Sequence, residues 1–158
     1  MPRVFIATIP TPNWGEEKGL SEEEIEAVVA HELSHWKLKH SAKSVVIVGV
    51  VICFRSYLFD YLNQTLGLDG VSIIVDVLQT AIILGYLGKF LSRTKEFQAD
   101  AYATKLGYGK PLKSALIKLG TNSLVFPKSD ALFSAWNHSH PTIVERLAAI
   151  DLLMRKSD

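Results

Sequence analysis

Residues 21–40 read Ser21-Glu22-Glu23-Glu24-Ile25-Glu26-Ala27-Val28-Val29-Ala30-His31-Glu32-Leu33-Ser34-His35-Trp36-Lys37-Leu38-Lys39-His40. At their centre His31-Glu32-Leu33-Ser34-His35 is an instance of H-E-x-x-H. Two histidines four apart lie on one helical face, where both imidazoles can reach one metal ion. Glu32, beside the first histidine, is then placed to take a proton from an activated water. So short a motif also arises by chance, and its flanks must decide. Ser21 with Glu24 fits a capping box, and Ile25, Val28, Val29, Leu33 and Trp36 recur at helical spacing. With no Gly or Pro inside, one helix from about Ser21 to His40 is predicted. The plainer alternative is an amphipathic helix whose His31 and His35 are ordinary core or surface residues.

A catalytic zinc site takes three protein ligands and leaves one position open for water. The best candidate for the third is Glu96, in Ser92-Arg93-Thr94-Lys95-Glu96-Phe97-Gln98-Ala99-Asp100-Ala101. Glu96 and Asp100 share a helical face, so one carboxylate can bind the metal. The other can accept the free ring N–H of a ligating histidine and fix its tautomer. Taken alone, the pair reads more readily as an exposed acidic helix face. His138 and His140 form a further pair in Trp136-Asn137-His138-Ser139-His140-Pro141, a loop ahead of a helix starting near Thr142. Loop pairs of this kind more often do not bind metal. His40 falls at a Lys-rich helix end, where a cation suits the helix dipole, and reads as structural or surface.

The 158 residues suffice for one ordinary domain, and a net charge of +1 gives no strong field to attract nucleic acid. The 48% apolar share and mean hydropathy of +0.19 suggest a chain partly in lipid and partly in water. The single Cys53 excludes a disulfide framework. Met1 to Leu20, with Pro2, Pro10, Pro12 and Trp14, is an irregular lead with no signal-peptide pattern, and Val4 to Ile9 is the one stretch that resembles a strand. Two segments carry the hydropathy. Val45 to Phe54 is ten apolar or Gly residues in a row, continuing less purely to Tyr61 past Arg55 and Asp60. Val71 to Leu91 spans 21 residues and includes Asp76, Gln79 and Lys89. A helix of about 20 residues crosses the ~30 Å hydrocarbon layer. The second segment therefore qualifies on length and the first marginally, with Asn63 to Gly70 as the turn of a helical hairpin.

Lys37, Lys39 and Lys43 precede this hairpin and Lys89, Arg93 and Lys95 close it, while its loop carries no cation. The positive-inside rule puts both outer ends, and the metal-ligand candidates beside them, on the cytosolic side. Arg55, Asp60, Asp76 and Gln79 are costly against lipid and should face protein or water; buried helices of a soluble core are the alternative. Asn63-Gln64-Thr65 fits a glycosylation acceptor close to the bilayer. Further on, residues 93–106, 111–120 and 142–154 read as helices, with a loop-rich 121–141. The predicted organisation is an irregular lead (1–20), a zinc-motif helix (21–44), a transmembrane hairpin (45–91) and a C-terminal helical part with the third ligand (92–158).

Three motifs in this order carry a resemblance: Val28 to Lys37 around H-E-x-x-H, Ser92 to Ala103 around Glu96 and Asp100, and His138-Ser139-His140-Pro141-Thr142 with Glu145-Arg146-Leu147. From about Glu22 to Asp151 the chain resembles the C-terminal half of the type I CaaX prenyl endopeptidases, integral membrane zinc metalloproteases of the endoplasmic reticulum and inner nuclear membrane. The resemblance implies a mainly α, membrane-associated, zincin-like metalloprotease. His31, His35 and Glu96 would bind one zinc ion per chain, with Glu32 as general base. Asp100 would be the acid behind a ligand, and His140 would contact the substrate backbone or stabilise the oxyanion. The implied substrate is a protein whose CaaX cysteine is farnesylated and which loses its last three residues; some precursors receive a second, upstream cut. Membrane lipid is the other implied partner.

Members of that family carry further membrane helices before the zinc motif and enclose a large chamber. Their edge strand and substrate-binding asparagine have no counterpart in Met1 to Leu20, and Ser34 stands where most carry glycine. All zinc ligands are therefore expected, but not the groove and chamber. Two alternatives remain: a quality-control membrane protease with the same zinc motif, and an inactive zinc-binding membrane fragment. The Lys95-Glu96-Phe97-Gln98-Ala99-Asp100 run and Ser139-His140-Pro141 favour the CaaX reading over the first.

Overall fold

The computed structural model describes residues 19–67, 71–121 and 138–157, and all regular structure among them is helical. The strand-like Val4 to Ile9 and most of the 121–141 loop lie outside these residues. Helix α1 spans Glu22–Lys37. Its capping box forms as the sequence predicts: Ser21 N–H donates to Glu24 Oε2 at 2.7 Å, and Glu24 N–H donates to Ser21 Oγ at 3.3 Å. The buried face differs from the predicted stripe. Ala27, Ala30, His31 and Ser34 turn inward, while Leu33 and Trp36 are exposed. Small side chains let neighbouring helices approach closely, so α1 docks through its alanines.

The predicted single helix to His40 breaks early. Leu38 and Lys39 close α1 by donating to Ser34 O at 2.9 Å and Trp36 O at 3.0 Å. Lys39 adopts φ 54°, ψ 41°, a left-handed geometry that costs a non-glycine residue about 1 kcal/mol. His40 then opens α2, His40–Leu66. This helix runs through Asn63 to Leu66, and the turn begins at Gly67, later than predicted.

Helix α3, Val71–Ala103, joins two predicted pieces into 33 unbroken residues. Its first two-thirds form the apolar partner of α2, and its last turns carry Glu96 and Asp100. Both α2 and α3 are long and apolar enough to cross a membrane, and their apolar windows are not buried within the chain. Val45, Val46, Val50, Phe54, Ile74 and Phe90 face outward, so these are not core helices of this chain. Arg55 reaches across the hairpin to the Asp76 carboxylate and the Thr80 hydroxyl. Two of the four polar interruptions thus satisfy each other, whereas Asp60 and Gln79 stay exposed.

A π-helical turn, Thr104–Tyr108, bends the chain at Gly107, whose φ of 96° suits glycine. Helix α4, Gly109–Thr121, and helix α5, Ile143–Ser157, follow. The core is small: Ala27 and Ala30 of α1, Ala103 of α3, Leu112 and Leu116 of α4 and Ile150 of α5, edged by Tyr108, Ile143, Leu147 and Met154. Gly109 is tight against α5, where a Cβ would sit 2.9 Å from Met154 Sδ. Glu24 fastens α1 to α4, accepting from Ser114 Oγ at 2.5 Å and Lys118 Nζ at 2.8 Å. The core thereby holds the inward face of α1 against the end of α3 and the start of α5.

Candidate metal centre

His31 and His35 project from successive turns of α1 toward Glu96 on α3. Their Nε2 atoms are 3.2 Å apart. Glu96 Oε2 lies 3.5 Å from His31 Nε2, and Glu96 Oε1 lies 3.8 Å from His35 Nε2. A tetrahedral zinc ion with ligands at ~2.0–2.1 Å separates them by about 3.4 Å. The three groups therefore fit such an ion without rearrangement. Among the described residues they form a set with metal-ligand spacing. His31 is buried and Glu96 nearly so. Two Nε2 lone pairs cannot face each other at this distance unless a cation or a proton lies between them.

Asp100, fully buried one turn beyond Glu96, stands behind the first histidine: His31 Nδ1–H donates to Asp100 Oδ1 at 2.9 Å. This fixes the tautomer that presents Nε2 to the metal position. Arg146 of α5 holds both carboxylates. Its Nε and Nη2 donate to Asp100 at 2.8 and 2.6 Å, and its Nη1 lies 3.2 Å from Glu96 Oε2. The sequence presents Arg146 within a motif but offers no spacing that ties it to residue 100.

The charges shift accordingly. Burial pushes the His31 imidazole down, but hydrogen bonds to Asp100 and Glu96 outweigh it and raise it to about 9. His35 is pushed down by burial and by the neighbouring His31 charge. Glu96 and Asp100 lie beyond the apolar stretch 71–91. Burial acts to raise Glu96, yet the His31 hydrogen bond and the Arg146 charge hold it at about 2. Asp100 is likewise lowered, its burial outweighed by the hydrogen bonds from Arg146 and His31. Both carboxylates are ionised, as a cation site requires.

Glu32 points to the exposed side of α1 next to the ligand pair. His140 is exposed at its side chain, with Nδ1 3.4 Å from Glu96 Oε1. Three contacts anchor its segment. Arg93 of α3 donates to His140 O at 3.3 Å and pairs with Glu145 at 2.9 Å. Thr142 caps α5 through Glu145, with Thr142 N–H to Glu145 Oε2 at 2.7 Å. His138 is exposed and outside the ligand set. His40, expected to be structural or surface at a helix end, is buried at 3% exposure and opens α2 instead of closing α1.

Residues 17–153 match Peptidase family M48. The CAAX prenyl protease 1 homolog of Arabidopsis thaliana is 41% identical over 153 residues, covering 87% of this chain and 36% of that protein. The homolog of Homo sapiens is 40% identical over 150 residues, covering 85% and 32%. The crystal structure of S. mikatae Ste24p superposes with a TM-score of 0.66 at 32% identity, covering 83% of this chain and 36% of that one. The chain thus spans about a third of the length of the relatives it matches. With the family pattern running from before the capping box to the last turn of α5, and a similar helical frame in a solved relative, this chain belongs to peptidase family M48.

Proposed function

We propose that the chain carries the catalytic centre of a zinc metalloendopeptidase of the CaaX prenyl protease type. The observation that supports this most is the convergence of His31 Nε2, His35 Nε2 and Glu96 on one point at zinc-like spacing. One zinc ion per chain, held by those three residues, would supply Lewis acidity toward a peptide carbonyl and a water. Glu32 takes the proton of the attacking water and returns it to the leaving amine. Asp100 keeps His31 in its working tautomer, and Arg146 keeps Asp100 in place. His140, on the open side of Glu96, donates to the oxygen on which charge develops.

The similarity to proteins named CAAX prenyl protease 1 supports a farnesylated CaaX protein as substrate, cleaved before its last three residues. The apolar, outward-facing α2 and α3 support a membrane setting, in the endoplasmic reticulum or inner nuclear membrane, with the basic flanks and the site on the cytosolic side. Residues 21–44, 45–91 and 92–158 then serve as metal helix, membrane hairpin and third-ligand part. A farnesylated CaaX peptide tests the reading. Cleavage by the detergent-solubilised chain should stop on chelation, and Glu32→Ala should keep the metal while losing about 10²–10⁴-fold in rate. Equal cleavage of unprenylated unfolded proteins would favour the quality-control alternative, and zinc without any cleavage the inactive fragment.

A further inference from the structure

His40 lies on the far side of His35 from the metal position. Its Nδ1 is 3.0 Å from His35 Nδ1, and its Nε2 is 3.1 Å from Gln98 Oε1 on α3. The two rings meet edge to face, with centroids 4.9 Å apart. In an unbroken helix, position 40 would sit about 140° around from position 35 and face away. The left-handed Lys39 re-aims it, and the ring is buried with His35 and Gln98 as its polar partners.

The donors and acceptors fix one arrangement. Gln98 Oε1 can only accept, so His40 Nε2 carries the hydrogen. A neutral His40 then presents a lone pair at Nδ1, which accepts from His35 Nδ1–H. His35 is left with its lone pair at Nε2, 3.2 Å from that of His31. Each histidine of H-E-x-x-H therefore has its own acceptor on the outer nitrogen: Asp100 behind His31 and His40 behind His35. Ligating histidines commonly use a carboxylate, a carbonyl or water in this role. Here a neutral imidazole, held by an amide, would fill it.

We propose that His40 is a positioning residue for the metal centre, fixing the tautomer and ring plane of His35 through the chain His35–His40–Gln98. The proposal rests on the metal-site reading above. Because His40 is also the first residue of α2 and Gln98 belongs to α3, the chain ties the ligand to both membrane-spanning helices.

The test is zinc affinity of the full chain in detergent, by competition with a chromophoric chelator, with folding followed by circular dichroism. His40→Phe keeps an aromatic ring without an acceptor and should weaken zinc about ten- to a hundredfold. His40→Asn sets an amide oxygen near the lost Nδ1 and should recover to within about threefold. Gln98→Leu, on a solvent-facing position, should lose affinity in the same direction by a smaller factor. The visible bands of the Co²⁺-loaded chain should move in His40→Phe and return in His40→Asn. Wild-type affinity in a folded His40→Phe, or no recovery in a folded His40→Asn, overturns the proposal alone. A wild-type chain that binds no zinc, or that binds it unaffected by His35→Ala, overturns the metal-site reading with it.

Discussion

His31 sets the chemistry at the residue scale. Without metal, the proton on its Nε2 and the incoming ion compete for the same lone pair. Its folded value of about 9 lies above the ordinary 6.5, because Asp100 and Glu96 outweigh burial. The stabilisation from those partners is complete below pH 6.5 and fades as pH rises through 9. His35 is shifted the other way and is already neutral near pH 7. Metal binding at pH 7.5 should therefore release about one proton, and affinity should climb with pH toward 9. Calorimetry in buffers of different ionisation enthalpy counts that proton; a count of zero would mean His31 does not bind through the titrating nitrogen. The pair His31/His35, Glu96 and Asp100 were legible in sequence because four-residue spacing maps directly onto a helical face. Arg146 and His40 were not. Arg146 acts across 46 positions on Asp100, and His40 depends on a left-handed turn that a lysine does not advertise.

Elements carry the next level. Helix α1 announces its start through Ser21 and Glu24, and the structure uses Glu24 a second time to fasten α4. Hydrogen bonds from Lys118 and Ser114 hold this carboxyl at about 2 against burial, below its ordinary 4.5. The depressed value means that the stabilisation is present above pH 4.5 and is lost as pH falls toward 2. Glu24→Gln should lower thermal stability at neutral pH and flatten its decline across that window; an unchanged acid limb would place the linkage elsewhere. In the hairpin, Arg55 and Asp76 face each other between long apolar surfaces. Removing one leaves an unpaired charge, so Arg55→Leu should destabilise more than Arg55→Leu with Asp76→Leu, with a coupling of roughly 1–3 kcal/mol. Additive effects in denaturation from detergent would show that the pair contributes nothing. The end of α1 at Lys37 and the continuity of α3 were hidden from sequence reading for one reason: helix breaks here follow packing, without Gly or Pro at the first and without any break between apolar and charged turns at the second.

For the whole molecule, the small core drawn from α1, the end of α3, α4 and α5 is distinct from the outward-facing hairpin. The core residues fix His31, His35, Glu96 and Asp100 relative to one another, and the hairpin's exposed apolar faces suit lipid or further protein. Family membership and the helical class followed from three motifs and two hydrophobic runs. The apolar stripe predicted for α1 did not, because burial there went to alanines rather than to the larger side chains. The chain spans about a third of its relatives, yet all three ligand candidates lie on two helices that one core holds together. The claim that these residues form a metal centre is most directly tested by zinc content of the purified, detergent-solubilised chain, beside Glu96→Ala. About one zinc per wild-type chain, with affinity lowered about tenfold or more in Glu96→Ala, is the expected result; a folded wild-type chain without zinc, or unchanged binding in Glu96→Ala, would contradict it.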